Sequence, residues 1–163
     1  MYAETKNYLL EHLKASGLKS NPYTSQKALE KSQESHIGAV LFERETLERD
    51  GSKVHYKDET GVLKKRRKVF ARTLYYVVIL GDYTDEAVEE MYQVFLSNLD
   101  EGIYIDGNYV PITIESADWV DKDDNILKAK VAVQILVSFA GGVYRDTGFV
   151  SVKDLEIEKI ERR

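Results

Sequence analysis

Apolar and polar positions along this chain repeat with two periods, and each change of period marks an element. From Thr84 to Leu99 the residues Val88, Met91, Tyr92, Phe95, Leu96 and Leu99 recur at spacings of three and four, which puts them on one helical face. Thr84 precedes the run as a cap whose hydroxyl can accept a backbone N–H, and Asp85 and Glu86 sit where the helix dipole favours anions. A second helix is predicted over residues 2–16, with Tyr2, Leu9 and Leu13 near one stripe and Leu10 widening it. Gly17 follows as a left-handed terminating residue, and Leu18 is placed to meet Leu13.

Elsewhere the period is two. Val69–Gly81, VFARTLYYVVILG, is the longest strand-like run, with Phe70, Leu74 and Tyr76 on one side and Ala71, Thr73 and Tyr75 on the other. From Tyr75 to Leu80 both sides are apolar, so this end is expected to be covered on both faces or to lie at a subunit contact. Ile126–Ala140 alternates strictly, with Ala129, Val131, Val133, Ile135, Val137 and Phe139 on one face, and Gly141-Gly142 is expected to end it. Ile37–Glu45 reads as another strand. Ile103–Val120 holds a turn at Asp106-Gly107-Asn108 and then a strand, and Lys122–Asn125 is a further turn. A last strand is expected from Phe149 to about Ile160.

Two stretches are polar throughout. Residues 46–68 are charged hairpin material with Asp50-Gly51 and Thr60-Gly61 as turn dipeptides. The basic residues Lys64, Lys65, Arg66, Arg67 and Lys68 lead from it into the central run. A strand of such residues cannot be buried, so the hairpin is expected to project from the body. Residues 18–36 contain one Pro and form either an extended arm or a short helix at Ser25–Lys31. Together the elements predict an α+β domain, a mostly antiparallel sheet with two helices on one face, ferredoxin-like in its βαββ run from Val69 to Ala140. The domain is expected over residues 1–145, with a C-terminal strand or arm at 146–163.

Composition narrows the function classes. The 163 residues suffice for one domain with a core, and a net charge of −5 gives no bulk attraction to nucleic acid or membrane. No apolar run reaches the roughly 18–20 residues that span a bilayer, and the mixed-charge start is unlike a signal peptide. The absence of cysteine excludes disulfides and thiolate metal sites.

Candidate chemistry is sparse. Asp121–Asn125 has the opening spacing of a calcium loop, but Ile126 stands where Gly is required and Ala132 where Glu is required, so a hairpin turn explains it better. His12, His36 and His55 have no second ligand at metal spacing. No phosphate loop, no serine elbow and no catalytic constellation is present, and no cofactor is expected. The basic run is best explained by acids on paired hairpin strands or on a neighbouring subunit. A phosphate-binding reading is opposed by the acidic flanks Glu43–Asp50 and Asp58-Glu59 and by the lack of interleaved aromatics.

The segments Ile37–Glu45, the hairpin through Lys68, FARTLYYVVILGDYTDEAVEEMYQVFLSNL and ILKAKVAVQILVSFAGGVY occur in an order that resembles the tail terminator (tail completion, collar) proteins of long-tailed bacteriophages and phage-tail-like bacteriocins. The resemblance implies a structural protein without enzymatic activity or cofactor. It would form a ring, usually of six copies, that caps the tail tube, ends its polymerisation and joins the tail to head or collar. Implied partners are copies of itself, the tail tube protein, the sheath in contractile particles, and head-completion or connector proteins. Direct nucleic-acid and membrane binding are not expected. The protein would be made in the bacterial cytoplasm and end in the virion or tail-like particle. Contacts with neighbouring subunits or partners are expected at Lys64, Lys65, Arg66, Arg67, Lys68, Tyr75, Tyr144, Arg145 and Phe149. Two rivals stand beside this: a ferredoxin-like module for single-stranded nucleic acid, and an enzyme with a carboxylate site at a subunit interface.

Overall fold

The long apolar run becomes the middle of a six-stranded sheet. Its strands are β1 (Ile37–Arg49), β2 (Lys53–Lys57), β3 (Leu63–Asp82), β4 (Gly102–Ile105), β5 (Asn108–Val120) and β6 (Val131–Thr147). They lie in the order β1-β3-β6-β5-β4, with β2 beside the first part of β3, and each of these pairs is antiparallel. The computed structural model describes residues 1–120 and 131–147. The expected turn at Lys122–Asn125, the start of the strand expected from Ile126 and the strand expected over Phe149–Ile160 lie outside these residues.

Three helices accompany the sheet: α1 (Tyr2–Ala15), α2 (Gln26–Glu30) and α3 (Asp85–Asn98). Alternation along β3 sends Leu74, Tyr76, Val78 and Leu80 to one face. There they meet Leu9 and Leu13 of α1, Val88, Met91 and Phe95 of α3, and the inward residues of β6 from Val133 to Phe139. Burying one such large side chain is worth about 1.5–3 kcal/mol, so this cluster is the main source of stability. The ends of the helices are set locally. The Ala87 amide donates to Thr84 Oγ1 at 3.3 Å, and Gly17 takes φ +99° so that Leu18 can turn down beside Leu13 over the bare Cα of Gly38.

The expectation of two helices on one face needs correction. A third helix, α2, covers the opposite face, where its Leu29 packs with Ile37, Ala39, Ile79 and Ala132. The doubly apolar end of β3 requires it, since odd and even residues there are both buried. The chain reaches that face around the β1 edge. The Tyr23 amide donates to the Gly38 carbonyl at 2.8 Å, and the Val40 amide donates to the Tyr23 carbonyl at 2.9 Å. Residues 18–36 therefore combine a short extended pass with one short helix.

Two turn expectations also change. Gly141-Gly142 does not end β6: Gly141 pairs with Arg72 and Gly142 with Ala71. These glycines make room instead, because a Cβ at Gly141 would fall 2.6 Å from Met1 Cε and one at Gly142 would fall 2.6 Å from Lys68 Cε. Asp50-Gly51 does not reverse the chain. β1 and β2 run along the same side of β3, with Arg49 opposite Phe70 and Lys53 opposite Arg67. The dipeptide is a kink in which Asp50 Oδ1 accepts the amides of Gly51 (2.6 Å) and Ser52 (2.8 Å). The reversal lies at Asp58–Val62, where Asp58 Oδ1 accepts from the Thr60 amide at 3.0 Å and the Val62 amide at 2.9 Å.

Candidate assembly surfaces

Register decides what the basic run faces, because directly opposed residues share a side of the sheet. Val54 opposes Arg66 and Tyr56 opposes Lys64, while across β6 Arg66 opposes Asp146 and Lys68 opposes Tyr144. On this side opposite charges meet. Arg66 Nε lies 2.8 Å from Asp146 Oδ1, Lys64 Nζ 2.9 Å from Asp58 Oδ2, and Lys68 Nζ 3.8 Å from Asp50 Oδ2. Arg66 is the centre of the arrangement. Its guanidinium sits 4.0 Å from the Tyr56 ring and 5.5 Å from that of Tyr144, and its Nη1 donates to the Asp106 carbonyl at 2.9 Å.

The Arg66 side chain is only 11% exposed, so the expectation that none of the run could be buried fails there. Two aromatic faces and fixed acceptors replace its water. The acids respond in kind. The Thr60 hydroxyl, and after it Lys64, hold the Asp58 carboxyl well below the usual carboxylate range, and Arg66 lowers that of Asp146. Burial raises the Tyr144 phenol.

The other side of the same strands carries the remaining cations. Lys53 opposes Arg67, and Arg67 opposes Arg145, so three cations stand in one row on three neighbouring strands about 4.8 Å apart. Lys57 opposes Leu63 two pleat repeats further on, past the His55–Lys65 pair, and Lys53, Lys57, Leu63, Arg67 and Arg145 are all exposed. Among the described residues, Lys53, Lys57, Arg67 and Arg145 enter no ion pair. Like charges directly opposed destabilise a sheet, and among the described residues no acid pairs with this row. The structure thus brings together Lys64–Lys68, Tyr144 and Arg145 and divides them between two sides. Tyr75 stands apart in the upper half of β3, half-buried, with the Arg44 guanidinium 4.1 Å from its ring. Phe149 lies outside the described residues.

Other surfaces escaped the sequence reading. Among the described residues no strand pairs with the outer edge of β1 beyond Val40, or with that of β5 from Thr113 to Val120. These edges carry exposed large apolar side chains: Phe42 (39%) and Leu47 (55%) on β1, Ile114 (37%) and Trp119 (47%) on β5. The signal was available as large apolar residues outside the run of inward positions, but edge status cannot be read before the strand order is known. An acidic region was also legible. Residues 73–121 contain eleven Asp or Glu and no Lys, Arg or His.

One arrangement looks like catalytic machinery. His36 Nδ1 lies 2.7 Å from Asp82 Oδ2, beside a depression of about 690 Å³ lined in part by Gly17, Tyr83, Ala87, Glu90 and Met91. The Lys19 amide, however, donates to His36 Nε2 at 2.9 Å. The proton is therefore on Nδ1, donated to Asp82, and the ring has no lone pair left to take a proton from a substrate. The pair ties the α1–β1 connection to the end of β3. Among the described residues no group of three or more His, Cys, Asp or Glu is placed to hold a metal ion, and no helix is long and apolar enough to cross a membrane. The calcium-like Asp121–Asn125 lies outside them.

No family model matches the chain, and no curated protein matches it. Among solved structures it is similar to a chain of one described as "Tail of empty GTA particle computed with helical refinement, C6 symmetry", at 15% identity over 66% of this chain and 82% of that chain. The TM-score is 0.26, too low for the likeness to carry an argument about this protein.

Proposed function

We propose that this protein is a structural subunit of a phage-tail-like particle, forming a ring of about six copies that caps the tail tube, ends its polymerisation and joins the tail to head or collar. The observation that carries the self-assembly part is a pair of sheet edges that no strand covers among the described residues, with exposed apolar side chains, Phe42 and Leu47 on one and Ile114 and Trp119 on the other. An open edge is a template for another chain, and natural sheets cover or blunt edges that have no such use. The β1 edge of one copy against the β5 edge of the next is a heterologous contact, which closes into a ring when the rotation fits.

The position at the end of a tail tube rests on the sequence resemblance to tail terminators. On this reading residues 1–145 form the ring body, of a tail-terminator-like or ferredoxin-like kind, and residues 146–163 an arm that reaches a neighbour. Weak single contacts are multiplied around the ring and against the tube, so avidity supplies the strength. The protein makes and breaks no bond and needs no cofactor; its partners are its copies, the tube, the sheath where present, and the head-completion proteins. The single-stranded nucleic-acid reading is weaker, because the net charge is −5 and the other cations of the same strand end are already met by Asp50, Asp58 and Asp146. Light scattering of the full chain during size exclusion, at several concentrations and salt levels, tests the ring. A mass of about six subunits is expected. A monomer under every condition overturns the reading.

A further inference from the structure

Charge in this chain is separated by position. The row Lys53–Arg67–Arg145, with Lys57 two pleat repeats further along the same side, is exposed and unpaired with acids among the described residues. The opposite pole is α3, whose Asp85, Glu86, Glu89 and Glu90 share the helix with no basic residue. None of these four enters an ion pair among the described residues. The two poles cannot meet within one molecule. Arg67 and Asp82, the residue just before the acidic end of α3, are fifteen positions apart on one continuous strand, a separation of about 45–50 Å.

We infer that the cationic side of the β2–β3–β6 end docks on the acidic surface of α3 in a second copy of this chain; the contact rests on the self-assembly reading above and names one of its interfaces. Shape agrees with charge. The depression beside Glu90 is lined by Tyr83, Ala87, Met91 and Val94, and Leu63, 53% exposed on the cationic side, is an apolar side chain of a size to enter it. The chain's own residues 148–163 are a poorer complement, since they carry four acidic and four basic side chains. A nucleic acid would meet the same cations, with the rings of His55 and Phe70 on that side of the sheet, but the chain's net charge of −5 opposes it in bulk. The contact is head-to-tail, so each copy offers one pole to either neighbour. It also gives the like-charged row a reason to exist, since a partner of opposite sign offsets the repulsion that the row carries alone.

The test uses two full-length variants, Lys53→Glu/Arg67→Glu/Arg145→Glu and Glu86→Lys/Glu90→Lys, each checked by circular dichroism melting and then measured by sedimentation and light scattering. Each alone should associate at least about tenfold more weakly than the parent chain. Mixed in equal amounts they should assemble again, with the two variants alternating, because every contact then joins opposite charges. If the glutamate variant does not fold, Lys53→Gln/Arg67→Gln/Arg145→Gln replaces it and should weaken association by a smaller factor. Parent and variants that assemble equally well overturn this contact while leaving self-assembly intact. Variants that are weakened but not restored by mixing overturn the pairing with α3. A labelled single-stranded oligodeoxynucleotide, bound by the parent and lost in the first variant without change in self-association, would make nucleic acid the partner instead. A parent chain that never self-associates removes both readings.

Discussion

From Leu74 to Leu80, β3 is covered by α1 and α3 on one face and, towards its end, by α2 on the other. From Lys64 to Lys68 the same strand is wholly basic and is held by Asp50, Asp58 and Asp146. The two stretches differ in what holds them. In the packed stretch the stabilising term is apolar area, which is non-directional and scales with how well volumes fill the space. In the charged stretch it is a few directed pairs at or near the surface, each worth about 0–1 kcal/mol, with one semi-buried guanidinium stacked between tyrosines. The first should therefore behave as part of one cooperative unit, and the second should open locally at a lower free energy. A strand can be central in the sheet and still belong to two stability regimes.

The strongest way to break that contrast is in the packed half. Phe95→Ala removes a fully buried ring from the cluster of α3, β3 and β6 and should cost about 3–5 kcal/mol, seen as a lower denaturant midpoint at unchanged slope. A near-silent result would mean that the ring is not in a packed environment. Tyr76→Phe is the next largest. The Tyr76 hydroxyl lies 2.9 Å from Thr5 Oγ1 and donates to the Tyr2 carbonyl at 3.1 Å, both inside the α1 docking site. Its loss should cost about 1 kcal/mol and loosen α1, because the side-chain tie between β3 and α1 goes, while the Tyr2 carbonyl keeps the Thr5 hydroxyl at 3.2 Å. Amide exchange at Thr5–Leu9 is the readout, and unchanged protection there would show that α1 is held by its leucines alone.

How far each half was legible follows from the same contrast. The spacing of Val88, Met91 and Phe95 and the alternation from Val131 to Phe139 named the core face directly, since burial imposes a period on the sequence. The short helix offered at Ser25–Lys31 is α2, but Leu29 was not named as its buried residue, because a five-residue helix has too few turns to show a period. Gly141-Gly142 misled because glycine marks close approach as well as chain reversal, and only the structure places Met1 over one and Lys68 over the other. At the charged end the composition was plain, yet which cations face acids depends on register. Arg66 and Arg67 are neighbours in sequence with opposite circumstances, one stacked and paired, the other in a like-charged row. The open edges of β1 and β5 depend on strand order, which no local pattern encodes.

Arg66→Gln sharpens the contrast from the other side. It removes the pairing with Asp146 and the stacking on Tyr56, yet the global melting temperature should move by no more than about 2–3 °C, because the core is untouched. Amide exchange in Lys53–Lys57 and Leu63–Lys68 should nevertheless rise well above that of the parent. A large drop in melting temperature would join the charged end to the cooperative core and remove the distinction.

The smallest expected effect is one of pH, and it sets the two halves against each other in a single titration. Asp58 and Asp146 are held below their ordinary value of about 3.9 in the folded chain, by the Thr60 hydroxyl and then Lys64 for the first and by Arg66 for the second. A lowered carboxyl contributes stability that is present above the ordinary value and lost as pH falls toward the lowered one. Asp146 is exposed and Asp58 is half-buried at the surface beside an exposed Lys64, so screening keeps the contribution small. In the packed half the responsive group is Tyr8, whose hydroxyl donates to Asp100 Oδ2 at 3.0 Å and accepts the Asp100 amide at 2.9 Å, tying α1 to the end of α3. Burial pushes its phenol up to about 12. A raised phenol contributes stability below its ordinary value of about 10 and loses it as pH climbs through the raised one. Acidification below about pH 4 should therefore raise amide exchange first in β2 and Leu63–Lys68 while α3 stays protected, and alkali between about pH 10 and 12 should free the α1–α3 tie first. The reverse order in acid, with α3 opening before the charged strands, would show that those ion pairs carry no weight in holding the strand end.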